Sequence, residues 1–306
     1  MQPALLCLDE ALTGQHRLRD AVVEAGGRVV DCRDLGPALR LWSRPKALAA
    51  LHERIGVALP ETLGPLIVFG GSGDFHHVTP LLLSRALEAA GRPETTVLHF
   101  DNHPDWVRFG AGAHCGSWVG LAARLDGVAK LVTIGVCSND IERPAAKGAD
   151  LALVTEERVE LYAYRAPGSL PAVQVCGRSW PTIEAIGEAA FADLLASRVE
   201  TEAVYVTIDK DVLCAADAGT NWDQGRTTLS LLQTLISRAT QGRRIIGVDV
   251  LGDWSKPVYG GGLIASLLKM GEALMDQPWR RPPSQSAAIN ESVNLALLHQ
   301  FQVRSA

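Results

Sequence analysis

The feature that most constrains this chain is the stretch 97–106, Val-Leu-His-Phe-Asp-Asn-His-Pro-Asp-Trp. It opens as an apolar run of β-forming residues, entered from Thr95 and Thr96 and ended by Pro104. Such a run reads as a strand buried on both faces, the kind found in a parallel sheet between helices. Asp101, His103 and Asp105 stand at its carboxyl end. Side chains alternate along a strand, so this spacing predicts all three on one side. Two hard oxygen ligands and one imidazole on a single concave face suit Mn²⁺, Fe²⁺, Ni²⁺ or Zn²⁺. A plainer reading has the aspartate capping the next helix and the histidine satisfied in the core. What decides between the two is whether other segments offer further ligands in similar settings.

Two other segments offer them. A buried strand at 65–69 runs into Gly70-Gly71-Ser72-Gly73-Asp74-Phe75-His76-His77. The glycines permit a sharp turn, and residues 78–90 then read as a helix. The turn has neither the Gly-Lys-Ser/Thr ending of a P-loop nor the Gly-x-Gly-x-x-Gly spacing, so phosphate is a poor fit. Its paired His76 and His77 are ligand candidates. The run 203–211, Ala-Val-Tyr-Val-Thr-Ile-Asp-Lys-Asp, repeats the first pattern, with Asp209 and Asp211 one residue apart on one predicted face.

The remaining pattern is an alternation of strands and helices. Strands are expected at 3–8, 28–32, 130–136 and 244–250. Helices are expected at 15–25, 46–53, 181–196, through Ala239 from a cap at Thr227 or Thr228, at 263–275 and at 289–300. Between 139 and 178 the pattern weakens into short strands and loops. With no repeat and no linker, residues 1–306 read as one three-layer α/β/α domain around a mostly parallel sheet. In such a sheet, ligands bind beyond the carboxyl ends of the strands. His76, Asp101, His103, Asp105, Asp209 and Asp211 would meet there. Four carboxylates among six ligands are too many for one ion but suit two ions sharing bridging carboxylates, an arrangement that activates a hydroxide.

Composition removes several alternatives. A formal net charge of −5, with no long Lys/Arg run, argues against a nucleic-acid partner. No window is long and apolar enough for a membrane span. The first residues lack a basic n-region, and the six cysteines include no Cys-x-x-Cys pair, so the expectation is a cytoplasmic protein with reduced thiols.

At residues 66–254 the chain resembles the ureohydrolase family of arginases, agmatinases and formimidoylglutamases. Gly73-Asp74-Phe75-His76-His77 loosely matches the family's Gly-Gly-Asp-His-Ser. Asp101-Asn102-His103-Pro104-Asp105 closely matches its Asp-Ala-His-x-Asp, and Thr207-Ile208-Asp209-Lys210-Asp211 its Ser-Phe-Asp-x-Asp. His114-Cys115-Gly116 falls on its downstream His-Gly. The resemblance implies an arginase/deacetylase-like fold and two Mn²⁺ per chain, with Ni²⁺, Fe²⁺ or Zn²⁺ as alternatives. One ion would be held by His76, Asp101, Asp105 and Asp209, the other by Asp101, His103, Asp209 and Asp211, with Asp101 and Asp209 bridging. It also implies catalytic roles for His114 and Asp105, a small-molecule substrate, and a homo-oligomer, a trimer or hexamer. Hydrolysis of a non-peptide C–N bond in a guanidino, amidino or formimino compound follows as the expected activity. An amidohydrolase or deacylase on the same fold, or a non-catalytic metal-binding subunit, is the alternative.

The departures concern the substrate grip. Where the family has Asp-Val-Val-Glu, with the glutamate holding the guanidinium, this chain has Asp249-Val250-Leu251-Gly252. A guanidinium pocket needs a facing carboxylate, so arginine and agmatine are expected to be poor substrates unless Asp253 takes over. His77, Trp118, Trp222, Asp253 and Trp254 are the candidate substrate contacts. Two or more tryptophans in the pocket would favour an apolar, aromatic or alkylated-cation substrate. Lys210, between two ligands and facing away from them, needs a buried partner or a water-filled space.

Overall fold

A computed structural model describes residues 1–166, 168–278 and 285–303. Eight strands form its main sheet: β1 (Gln2–Cys7), β2 (Arg28–Asp31), β3 (Leu66–Phe69), β4 (Thr95–Phe100), β5 (Val128–Val136), β6 (Val159–Ala163), β7 (Ala203–Asp209) and β8 (Arg244–Leu251). Their spatial order is β2-β1-β3-β8-β7-β4-β5-β6. Every neighbouring pair in this sheet is parallel. The apolar runs read as doubly buried strands are so: every residue of β3, β4 and β7 is buried.

The main helices are α1 (His16–Glu24), α2 (Pro45–Ala58), α3 (Thr79–Ala90), α4 (Glu188–Arg198), α5 (Leu229–Ala239), α6 (Leu263–Asp276) and α7 (Ser286–Val303). Thr228 caps α5 by accepting from the Leu231 N–H, as expected of a Thr just before an apolar-periodic run. The helix expected at 181–196 is broken in two by Gly187 at φ 83, a conformation that continues neither helix. No helix among the described residues is long and apolar enough to cross a membrane, and all six cysteines are free.

The chain order puts the site in the middle of the sheet. From β3 the chain skips two positions to β4 and proceeds to the β6 edge. It then returns to insert β7 and β8 between β4 and β3. The segments leaving the carboxyl ends of β3, β4, β7 and β8 therefore lie side by side, where the strand order of an open α/β sheet creates its crevice.

Candidate metal centre

Turns, not strand alternation, bring the ligand candidates together, which corrects the expectation that they project from one strand face. β4 ends at Phe100 and β7 at Asp209. Asp101 to Asp105 form a turn in which Asp105 takes φ 48, an uncommon left-handed conformation for a non-glycine residue. Asp211 follows on a 3-10 turn, Lys210–Val212, whose N-cap Asp209 accepts from the Asp211 N–H. His76 sits on another, Gly73–Val78. Gly73 is required there: a Cβ at that position would lie 2.3 Å from Asp209 Oδ2.

The buried ligand atoms fall into two groups that share Asp101. His76, His99, Asp101 and Asp105 form one, and Asp101, His103 and Asp211 the other. His76 Nδ1 lies 3.1 Å from Asp101 Oδ2, 3.2 Å from Asp105 Oδ2 and 3.7 Å from Asp209 Oδ2. His103 Nδ1 lies 2.9 Å from Asp211 Oδ2 and 3.5 Å from Asp101 Oδ1.

Behind each histidine a second polar group fixes the ring. The Thr207 hydroxyl donates to Asp249 Oδ1 at 2.6 Å. Its oxygen can therefore accept from His76 Nε2–H, 2.9 Å away, leaving the Nδ1 lone pair facing the carboxylates. That Nδ1 is buried without a hydrogen-bond partner. His103 is also backed, with Nε2 3.0 Å from Asp223 Oδ1, while its Nδ1 is paired with Asp211 Oδ2. An imidazole backed at one nitrogen and bare at the other, as His76 is, is the arrangement in which proteins present histidine to a metal. Asp105 is held from behind by the Trp118 indole N–H at 2.7 Å. His99 has Nδ1 3.1 Å from Thr133 Oγ1 and Nε2 2.9 Å from Asp101 Oδ2. His99 thus bridges Thr133 to Asp101 and orients that carboxylate.

Four carboxylates in so small a volume repel one another. Burial and the neighbouring Asp101 push the Asp105 and Asp209 carboxyls up to about 6. Burial, then Asp101 and Asp209, raise Asp211 well above the usual range. For Asp101 burial pushes upward too, but the facing imidazoles of His103, His76 and His99 hold it well below that range. Such an excess of buried negative charge, facing a bare imidazole nitrogen, fits divalent cations of N/O preference.

The six ligand candidates line a cavity of about 570 Å³, together with His114, Trp222, Asp223 and Asp276. A larger depression of about 960 Å³ lies around Arg243 and Ile245, with neither histidine nor carboxylate among the described residues that line it. His114 is placed by a two-residue antiparallel pairing of Ala113–His114 with Trp42–Ser43. Its Nδ1 accepts from the Gly116 N–H at 2.8 Å, and its Nε2 lies 2.5 Å from Glu272 Oε1 on α6.

Of the candidate substrate contacts, Trp222 lines this cavity. Its ring stands 5.6 Å from that of His103, and its N–H donates to Asp74. The structure places the other four elsewhere. Trp118 is fully buried behind Asp105. His77 is buried with both nitrogens unpartnered, and burial, then His114 and Lys269, push its pKa down to about 3. Trp254 lines a separate groove. Asp253 does not line the cavity but accepts from Gln15 at 2.9 Å and Lys210 at 2.6 Å. That contact, with Asn294 at 2.9 Å, provides the buried partners Lys210 needed. Gly252 could not carry the missing glutamate: it takes φ 91, and a Cβ there would lie 2.4 Å from Asp209 Oδ1.

The chain matches no protein-family model and no curated protein. Solved structures do resemble it. A hypothetical agmatinase from Burkholderia thailandensis aligns at TM-score 0.57 and 17% identity, over 99% of this chain and 86% of that one. Arginase from Bacillus caldovelox aligns at 0.55 and 16%, over 90% and 97%. Formimidoylglutamase from Bacillus subtilis aligns at 0.56 and 11%, over 95% and 86%. At such identities the likeness is one of fold, and with the sheet order and the site at its carboxyl edge it assigns this chain to the arginase-like α/β fold.

Proposed function

We propose that this chain, as one α/β unit, is a dinuclear Mn²⁺-dependent hydrolase that cleaves a non-peptide C–N bond of a guanidino, amidino or formimino compound. The observation that carries the reading is the bare, buried Nδ1 of His76 among the carboxylates of Asp101, Asp105 and Asp209. The likeness in fold to proteins named arginase, agmatinase and formimidoylglutamase supports the choice of reaction. His76, Asp101 and Asp105 would hold one ion and Asp101, His103 and Asp211 the other, with Asp209 completing the set. Bound divalent ions would lower the pKa of a water so that hydroxide is available near neutral pH.

The protein's own residues supply positioning and proton handling. Thr207 with Asp249, and Asp223, fix the two imidazoles; Trp118 and His99 fix Asp105 and Asp101. His114 stands at the cavity wall with its Nε2 proton shared with Glu272, and this pair is the proton source assigned to the departing nitrogen. His114→Ala is expected to keep its full metal content while kcat falls by about 10²- to 10⁴-fold. Loss of an ion from that variant, measured by elemental analysis, would count against the role.

The substrate grip differs from one built on a glutamate after the last strand. Gly252 has no room for a side chain, and Asp253 is committed to Lys210. The aromatic reading also weakens, since of Trp106, Trp118, Trp222 and Trp254 the cavity takes in Trp222 alone. Arginine and agmatine are therefore expected to be poor substrates, with kcat/KM below about 10⁴ M⁻¹s⁻¹. Efficient urea release from either would show that another acid, such as Glu272, grips the guanidinium. The test of the reaction is a panel of guanidino, formimino and acylamino compounds, assayed for urea, ammonia, formamide and free amine. Release of urea, ammonia or formamide that EDTA abolishes and Mn²⁺ restores is expected. Free amine from acylated compounds alone would indicate the deacylase alternative instead.

A further inference from the structure

Helix α6 is built inside out. Its charged Lys269 and Glu272 turn inward, Lys269 to the Ala38 carbonyl at 2.8 Å and Glu272 to His114. Facing outward are Leu263, Ile264, Leu267, Leu268, Leu274 and Met275, between 51% and 80% exposed. On six side chains of this size such exposure amounts to roughly 700 Å², beyond the ~300–600 Å² of the largest apolar patch on an ordinary monomer. It approaches the ~800 Å² that each partner contributes to a standard interface.

Two further observations say what covers it. Ile264, Leu267 or Leu268, Gly271, and Leu274 or Met275 recur every three or four residues, the spacing of a helix seam that meets another helix. Glycine within a helix costs about 1 kcal/mol relative to alanine. Nothing among the described residues requires it here, since a Cβ at Gly271 would meet none of their atoms within 4 Å. A second backbone approaching closely would require it. Beside the seam lies a groove of about 730 Å³ lined by Trp254, Pro257, Tyr259, Met270 and Leu274, wide enough to seat an apolar side chain from outside. A surface that holds both projecting side chains and a socket, with no charge on its ridge, can pair with itself about a two-fold axis without opposing like charges. The acidic balance of the chain, −5, opposes an anionic membrane as the occupant.

We propose that α6 is a self-association surface, on which a second copy of this chain packs helix against helix across Gly271. The pairing does not depend on the reaction assigned above. It would clamp the cavity wall, because the same helix supplies Glu272 beside His114 and Met275 and Asp276 at the cavity.

Light scattering on the full-length protein tests it. At ~50 µM the protein is expected at twice the 32.7 kDa chain mass or a higher even multiple, with Kd of about 1 µM or tighter. Leu267→Glu/Leu274→Glu, exposed in the single chain, is expected to halve the mass while circular dichroism stays unchanged. Gly271→Leu should weaken pairing at least tenfold, about 1.4 kcal/mol, without loss of fold. A wild-type monomer at ~50 µM, an assembly that both variants leave intact, or a monomer that binds phosphatidylcholine/phosphatidylglycerol vesicles would each overturn the proposal.

Discussion

Asp101→Asn is expected to abolish turnover while leaving the fold in place. Asp101 is the residue common to both ligand groups, with one oxygen toward His76 and His99 and the other toward His103. Asparagine keeps the shape but removes the charge, and it turns an amide donor or a weaker acceptor toward rings that need an anion. Both proposed ions lose a ligand at once. Bound metal should fall below one ion per chain and kcat by at least ~10³-fold, about 4 kcal/mol of transition-state stabilisation. Asp209→Asn is expected to act in the same direction. Asp209→Asn should not destabilise the metal-free protein, since it relieves repulsion among buried carboxylates, whereas Asp101→Asn, which also gives up the contacts with His76, His99 and His103, should lower its melt without unfolding it. The checks are elemental analysis, steady-state kinetics and a thermal melt on the same preparations. An Asp101→Asn enzyme retaining two ions and wild-type kcat would show that the carboxylate is not a shared ligand.

Arg40→Leu is expected to produce the largest loss of stability. Arg40 is buried, with one guanidinium nitrogen on Asp74 at 2.5 Å and another on Asp9 and on the Ser255 hydroxyl. Burial pushes the Asp9 carboxyl upward, and Arg40 is the main influence holding it down. Removing the cation strands two acids in the interior. Breaking a buried pair from one side costs about 3–5 kcal/mol, equivalent here to a fall in Tm of roughly 5–10 °C. The damage should extend to the cavity, since Asp74 also accepts from the Trp222 indole at 2.9 Å and from Gln277 at 2.6 Å. A melt within about 2 °C of wild type would show that water or rearrangement satisfies both acids.

The parts of this architecture legible in the sequence are those with a local cause. Continuous apolar runs become β3, β4 and β7, because strands covered on both faces need no polar alternation. The spacing of Asp101, His103 and Asp105 picks out a segment that the structure brings to the sheet edge beside His76, Asp209 and Asp211. The reason for that convergence was not legible: it depends on a left-handed Asp105 and two 3-10 turns, which a two-residue alternation does not describe. His99 escaped notice because a histidine inside an apolar run reads as core. Asp223 and Glu272 escaped it because they reach the site from a loop and a helix far along the chain, with no local pattern. Proximity in sequence misplaced His77, Trp118, Asp253 and Trp254, since consecutive residues on a turn face different ways. Lys210 shows the opposite case. Its oddity between two ligands was visible in advance, and its partners, Asp253 and Asn294, come from segments folded against it.

Metal stoichiometry is the measurement closest to the central claim. Protein stripped with a chelator and equilibrated with excess Mn²⁺, then freed of unbound metal, should retain two ions per chain by elemental analysis. Asp101→Asn, carried through the same procedure, should retain fewer than one. A wild-type chain that binds at most one Mn²⁺ at saturation, and no second ion of Ni²⁺, Fe²⁺ or Zn²⁺ in its place, would contradict the dinuclear centre.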